Sequence, residues 1–353
     1  MLKKRITLKQ IAKELNLSVS TVSKSLNDSP EISKETKELI KAFAEAHNYK
    51  PNTLALRLKN KRSYNIGVIL PEIAHDFFST VVSGIEYIAN KKGYNITVCF
   101  TNEKLEREIN DMEMLIDTHI DGLIIAISKE TQLKQSFQHL REAINQDIPL
   151  VMFDRVVDSI RCDQVIIDDA MATYNATNYL IETGCHNIAL FTIPDYISVG
   201  ALRTQGYKNA LSDAGLSIRE NLILAVEDIH SDELIVDFFE NQQFDAILCS
   251  NEFLALSAIR QAHNRNIKIP KELSIIGFAD GFLAQNAYPK LTAINQHPFE
   301  IGKTATKMLI KSIEKCLKMQ GDFMLYPGHG EQTALKTEHR NLSSLLKRIS
   351  PLG

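Results

Sequence analysis

The chain has 353 residues, of which 44% are hydrophobic and 24% charged, with a formal net charge of −3. That length predicts two or three domains of an ordinary soluble globular protein, and no apolar run approaches the ~18–20 residues needed to span a bilayer. The first residues, MLKKRITLKQ, lack the apolar core of a secretion signal, and the five scattered cysteines form no C-x-x-C pair, so buried, reduced thiols in a cytoplasmic protein are expected.

The first predicted elements lie in Thr7 to Asn27, TLKQIAKELNLSVSTVSKSLN. Leu8, Ile11, Ala12 and Leu15 share one face of a helix, at i, i+3, i+4 and i+7. Asn16-Leu17 breaks it, and Ser18 offers the N-cap of a second helix whose apolar face holds only Val22 and Leu26. The remaining positions, Val19, Ser20, Thr21, Ser23, Lys24 and Asn27, are short, polar or cationic. Such a face suits a DNA major groove better than a protein core, and two short helices joined this way predict a helix-turn-helix. Charge agrees: residues 1–62 carry +8 and the rest −11. A compact basic end on an acidic body marks where a polyanion would bind. A basic disordered tail is the alternative, and helical periodicity with caps weighs against it.

Ser33 is predicted to cap a third helix, with Glu35 and Glu38 in its first turns and a stripe of Leu39, Ile40, Phe43 and Ala44. Tyr49-Lys50-Pro51 ends it. Asn52 to Leu58, NTLALRL, then places Leu54 and Leu58 on one face, with Lys59, Lys61 and Arg62 following. So short a helix is marginal alone, which suggests a segment that orders on DNA; a tethering linker is the bland reading.

From Asn65 the pattern alternates strand and helix. NIGVIL, NITVCF, DGLIIAI and IPLVMF read as buried parallel strands, with helices at roughly 76–92, 104–119 and 131–145. VIID (165–168), NIALFT, FDAILCS and LSIIGF continue the alternation. This predicts an α/β body of two similar doubly wound halves, with a ligand cleft beyond the C-terminal strand ends. No H-E-x-x-H, P-loop or G-x-S-x-G motif is present, and no nucleophile–base pair or metal cluster stands out, so an enzyme is not expected and no cofactor is expected.

The order of TLKQIAKELNLSVSTVSKSLN, YKPN, ALRL, NIGVILPEIAHDFFS, DGLII, VMFDR, LIETGCHNIALF, ALRTQGYKNAL, DAILCSNEFLALSAI, IPKELSIIGFAD and LTAINQ resembles the LacI/GalR family of transcriptional regulators along nearly the whole chain. The resemblance implies a helix-turn-helix headpiece at 1–50 and a hinge helix and linker at 51–63. It implies a periplasmic-binding-protein-like body with one subdomain at 64–165 plus 294–326 and another at 166–293 plus 327–353. It also implies a dimer or tetramer, a pseudo-palindromic double-stranded operator, and a sugar-like or nucleoside-like effector.

Carried over by motif, Val19, Ser20 and Lys24 read bases, and Thr7, Ser18, Thr21 and Asn27 meet phosphates, chemistry that hydroxyls, helix N-termini and a lysine can supply. Arg commonly fills the position of Lys24, and a lysine is a point charge rather than a bidentate fork. Asn52, Ala55 and Leu58 fall on the hinge, where Leu58 matches the leucine wedged into a minor-groove step; packing between paired hinge helices is its other reading. Leu56 stands where Arg is frequent, with Arg57 beside it.

The expected effector residues are Phe78, Asp154, Arg203, Asn251 and Asp280, whose carboxylates, amide and guanidinium suit a polyhydroxylated ligand. Phe77 is expected in the core, Asp154-Arg155 has a surface ion pair as its alternative, and Asn251 and Asp280 have helix caps as theirs. Ala279, in GFAD, replaces a carboxylate common in sugar-responsive members. A cytoplasmic, effector-controlled repressor is expected. A periplasmic-type solute-binding protein and a ligand-independent architectural DNA binder are the alternatives.

Overall fold

The computed structural model describes residues 6–47, 49, 62–73, 76–227, 232–279, 281–319, 324–325 and 333–334. The chain divides into two compact units, residues 1–63 and 64–353.

In the first unit, helix α1 spans Leu8–Glu14. Thr7 and Gln10 form a reciprocal capping box at its start: the Thr7 hydroxyl accepts from the Gln10 N–H at 3.3 Å, and Gln10 Oε1 accepts from the Thr7 N–H at 2.9 Å. Asn16, left-handed at φ 52°, turns the chain. Ser18 then caps α2, Val19–Leu26, by accepting from the Thr21 N–H at 3.0 Å. Ser33 caps α3, Lys34–Ala46, in the same way. The three helices bury Ile11, Ala12, Val22, Ile40 and Ala44 as one small core. Leu39, expected in that core, is 56% exposed. Its neighbour Ile40 takes the inward position because α3 presents only a narrow stripe to two short partners. Ser25 of α2 is also buried.

The second unit holds two parallel five-stranded sheets. The first lobe contains β1 Asn65–Leu70, α4 Asp76–Lys91, β2 Asn95–Phe100, α5 Leu105–Asp117, β3 Gly122–Ile125, α6 Lys129–Lys134, α7 Gln138–Asn145, β4 Leu150–Phe153 and β5 Asp163–Val165. The second contains α8 Asp169–Glu182, β6 Ile188–Thr192, α9 Ser198–Asp213, β7 Ile223–Ala225, α10 Asp232–Asn241, β8 Ala246–Cys249, α11 Glu252–Asn264, β9 Ser274–Phe278, α12 Phe282–Gln285 and β10 Thr292–Ile294. The strand orders are β2-β1-β3-β4-β5 and β10-β9-β8-β6-β7. Counted from each sheet's own first strand, both read 2-1-3-4-5, the doubly wound order with a switch point beside the first strand. After β10 the chain returns, and the long helix α13, Pro298–Met319, packs on α4 and on β3, β4 and β5 of the first lobe.

The inner strands are apolar because helices cover both faces: β3, β4, β6 and β8 are buried throughout. Gly84 and Gly302 let α4 and α13 meet backbone to backbone, since a Cβ at either would strike a carbonyl of the other helix. Gly206 does the same for α9 against α8.

Two sequence expectations shift. The helix expected at 131–145 is two helices, because Gln135 ends α6 in the left-handed conformation. VIID is not a strand: pairing to β4 uses Asp163–Val165, and Asp168 instead caps α8 by accepting from the Met171 N–H at 2.9 Å. Strands β7 and β10 are three residues each, too short for periodicity to mark. Cys99, Cys185 and Cys249 are buried thiols, whereas Cys162 and Cys316 are half-buried. Burial pushes Cys99 and Cys162 up to about 11, which keeps both protonated.

Candidate functional site

The headpiece presents a polar face opposite its core. Val19 is 43% exposed at the first position of α2. Ser20, Lys24 and Asn27 are exposed on the same helix, while Val22 and Ser25 point inward. The Ser18 and Thr21 hydroxyls meet at 2.8 Å, and Asn27 donates from Nδ2 to the Ser23 carbonyl at 2.8 Å. Thr7, Ser18 and Thr21 therefore cluster at two helix N-termini, where amide N–H groups favour phosphate. Lys24 is paired with Glu31, both largely exposed. An exposed pair of this kind is worth ~0–1 kcal/mol, so Lys24 can leave Glu31 for a base edge at little cost. Asn52, Ala55 and Leu58 lie outside the described residues.

The roles expected of Lys24 and Thr21 differ in what each would do to binding. Lys24→Ala is expected to relax specificity at one operator position and cost ~1–3 kcal/mol there, whereas Thr21→Ala should weaken all sequences alike. Selection from randomised duplexes checks the assignment; an unchanged sequence preference for Lys24→Ala would remove it from the base-reading set.

In the body a cavity of about 200 Å³ lies between the lobes. Its walls are built from segments that follow strand C-termini. Glu72, Asp76, Phe77 and Phe78 come after β1, Glu103 after β2, Lys129 after β3, and Asp154 and Arg155 after β4. From the other lobe, Arg203 follows β6, Glu227 follows β7, Ser250, Asn251 and Glu252 follow β8, Ala279 and Gly281 follow β9, and Gln296 follows β10. The two switch points thus face each other across one crevice.

Arg203 is the most heavily engaged of these groups. It is 4% exposed. Its Nε donates to Asp169 Oδ1 at 2.7 Å, one terminal nitrogen donates to Gln296 Oε1 at 2.8 Å, and the other donates to the Ser250 carbonyl. The guanidinium lies 3.6 Å above the Phe278 ring. Arg155 is also buried, and one of its terminal nitrogens lies 2.8 Å from both Glu103 oxygens. Burial alone would lower its pKa; Glu103, Asp154 and Glu72 outweigh that and raise it. Arg155 is thus paired with Glu103 inside the crevice, with Asp154 adding to the field that holds its charge.

Asp154 sits left-handed at φ 58°, its N–H donating to the Val165 carbonyl at 3.2 Å, and it lines the cavity. Asn251 does two things at once: Oδ1 caps α11 by accepting from the Leu254 N–H at 2.9 Å, and the residue lines the cavity. Phe78 is 4% exposed and packs near Phe153, while Phe77, expected in the core, is half-buried on the cavity wall. Both rings line the cavity; Phe78 belongs to the first lobe's core as well, and Phe77 packs against that core. Asp280 lies outside the described residues. Glu72, Asp76, Glu103, Lys129, Glu227, Ser250, Glu252 and Gln296 were not singled out from sequence. Their common mark is a place within a few residues of a strand's C-terminal end.

Among the described residues hydrogen bonds join the lobes across the crevice at three places: Asp76 Oδ2 accepts from the Phe282 N–H at 2.9 Å, Gln132 Oε1 accepts from the Ser198 N–H at 3.3 Å, and Lys129 Nζ donates to the Glu227 carbonyl at 3.5 Å. Among the described residues no group of acidic, histidine or cysteine side chains could hold a metal, and no helix is long and apolar enough to cross a membrane.

Residues 7–52 match the family model described as bacterial regulatory proteins, lacI family. Residues 63–341 match that of periplasmic binding proteins and sugar binding domain of LacI family. The HTH-type transcriptional regulator RegA of Clostridium saccharobutylicum is 31% identical over 315 residues, 88% of this chain and 93% of that protein. The ribose operon repressor of Halalkalibacterium halodurans is 30% identical over 313 residues, 88% and 91% of the two chains. The lac repressor dimer, solved bound to operator and an anti-inducer, superposes with a TM-score of 0.78 at 24% identity, covering 88% of this chain and 94% of that one, and shares the fold. Neither the solute-binding nor the architectural alternative is favoured, because headpiece and body match the one family together. The exposed polar helix and the two-lobed body therefore belong to a transcriptional regulator rather than an enzyme, and the chain is a member of the LacI family.

Proposed function

We propose that the chain is a cytoplasmic repressor that binds a pseudo-palindromic operator as a dimer and is controlled by a small hydrophilic effector held between the body's lobes. The observation that carries this reading is the cavity of about 200 Å³ whose walls come from the C-terminal strand ends of both sheets. It is smaller than the ~300–1,000 Å³ of sites for drug-sized ligands, which points to a molecule the size of one sugar or nucleoside. The relative named ribose operon repressor agrees with a sugar-related signal. Subdomains at 64–165 with 294–326 and at 166–293 with 327–353 would form its two jaws.

A ligand touching both jaws stabilises the closed arrangement by the contacts it makes there and not in the open one. The shift reaches DNA through residues 51–63, whose pairing on operator the jaws would permit or prevent. Val19, Ser20, Lys24 and Leu58 would supply sequence reading, and Thr7, Ser18, Thr21, Asn27, Asn52 and Ala55 the backbone contacts. The test is fluorescence anisotropy of the full-length chain on a duplex chosen by selection, with sugars and nucleosides added in turn. The expected result is a two-fold-symmetric site and at least one compound that changes affinity by roughly 5–150-fold. A selected site without two-fold symmetry, or no response to any compound that demonstrably binds the body, would overturn it.

A further inference from the structure

Two helices of the second lobe begin without a cap of their own. The N-cap residue of α9 is Ile197 and that of α12 is Gly281, and neither supplies a side-chain hydrogen bond. The first amides of a helix have no partner within it and need an acceptor from elsewhere. Here both leading amides receive one from the opposite lobe. Gln132 Oε1 accepts from the N–H of Ser198, the first residue of α9, at 3.3 Å. Asp76 Oδ2 accepts from the N–H of Phe282, the first residue of α12, at 2.9 Å. The bare Gly281 makes room for this, since a Cβ there would strike the Asp76 carboxylate.

Both acceptors are fixed within the first lobe. Gln132 is 3% exposed on α6. The start of that helix is tied down by two carboxylates. Glu108, fully buried, accepts from the Ser128 N–H at 2.6 Å and the Thr131 hydroxyl at 2.9 Å, and lies 2.8 Å from His139 Nε2. Glu103 accepts from the Lys129 N–H at 2.7 Å. Asp76 opens α4, which packs on α13. A motion that parts the lobes therefore takes both acceptors away together, rather than stretching one lobe internally. The joined arrangement also carries a cost: the Ser198 hydroxyl oxygen is buried and has no partner among the described residues. That cost offsets part of what the Ser198 amide gains, and keeps the joint reversible.

We propose that Gln132 and Asp76 form a two-point latch, capping α9 and α12 across the crevice, and that this latch sets how readily the lobes part. It deepens the reading of an effector-controlled body and rests on the lobes moving against each other, whatever the effector is. A ligand that spreads the lobes must uncap both helices, and one that draws them together is helped by caps already in place. Because α9 also carries Arg203, the latch ties the start of that helix to the position of the first lobe.

The test is hydrogen exchange followed by mass spectrometry on the full-length chain with no effector added, in the parent and in Gln132→Ala, Asp76→Ala and Asp76→Asn. If one motion breaks both contacts, removing either acceptor speeds exchange at both helix starts. Gln132→Ala is expected to raise exchange over Phe282–Gln285 about fivefold, the typical worth of a helix cap, and Asp76→Ala to do the same over residues 198–201. Asp76→Asn keeps an oxygen acceptor and should leave residues 198–201 near the parent rate. Amides of the central strands β3 and β8 should exchange as in the parent. Faster exchange only at the substituted residue's own partner helix would mean two independent caps and would overturn the latch. So would an Asp76→Asn chain as loose over 198–201 as Asp76→Ala, since the hydrogen bond would then not be what acts. If one alanine variant also loosens β3 and β8, the other supplies the reading; if both do, the residues support the fold at large and the latch is overturned. Coupled exchange in a protein whose operator affinity no compound changes would retire the effector reading and keep the latch. Uncoupled exchange beside a compound that does change affinity would do the reverse.

Discussion

Operator affinity is expected to fall by about 10³–10⁵-fold between 50 and 200 mM salt, the loss associated with 6–10 neutralised phosphates. The reason is how the chain distributes its charge. The whole protein is −3, yet residues 1–62 carry +8, and two copies in a dimer double that at one operator. Cations that reach phosphates release condensed counterions, and log K falls by ~0.9 per phosphate for each unit of log salt. The acidic remainder of the chain softens the effect, since its own repulsion from DNA is longest in range at low salt and is screened as salt rises. Titration of the selected operator at several salt concentrations measures the slope. A flat response would mean that the basic end does not meet the DNA backbone, and would sink the assignment of Thr7, Ser18, Thr21 and Asn27 as phosphate contacts.

Arg203→Ala is expected to be the most damaging single substitution in the crevice. From sequence, Arg203 is a fork offered to a ligand. In the structure it is also the centre of a buried network joining α8, the end of β8 and the segment after β10. Removing it strands the Asp169 carboxylate, itself 4% exposed, and takes away the donors that meet the Ser250 carbonyl and Gln296 Oε1. Breaking a buried pair this way costs about 3–5 kcal/mol, which for a body of this size lowers Tm by roughly 10 °C. The ligand response should vanish with it. Loss of fold and loss of ligand contact separate in the double variant Arg203→Met with Asp169→Leu, because replacing both partners by apolar groups of similar volume is often neutral. That variant should regain most of the stability and bind operator, yet ignore the effector. A single variant that melts within about 2 °C of the parent would show that the network contributes little. A double variant that still responds would remove Arg203 from the site.

The elements of this protein were legible wherever a local rule governs them. Ser18 and Ser33 cap their helices as expected, since a cap is settled within one turn. NIGVIL and NITVCF occupy their strands residue for residue; NIGVIL is buried from Ile66 on because helices cover it, whereas the edge strand NITVCF buries only Cys99. The bare face of α2 was legible for the same reason: a helix with two apolar positions can bury only one narrow stripe, so Val19, Ser20 and Lys24 had to face outward. What tertiary structure alone decided is the crevice. The three hydrogen-bond partners of Arg203 stand 34, 47 and 93 residues away, at Asp169, Ser250 and Gln296. Glu103 meets Arg155 across 52 residues, and Asp76 meets Phe282 across 206. Periodicity carries no record of such pairings. They arise because two sheets of the same 2-1-3-4-5 order set their C-terminal strand ends face to face, so residues scattered along the chain share one wall and impose their summed charge on whatever enters.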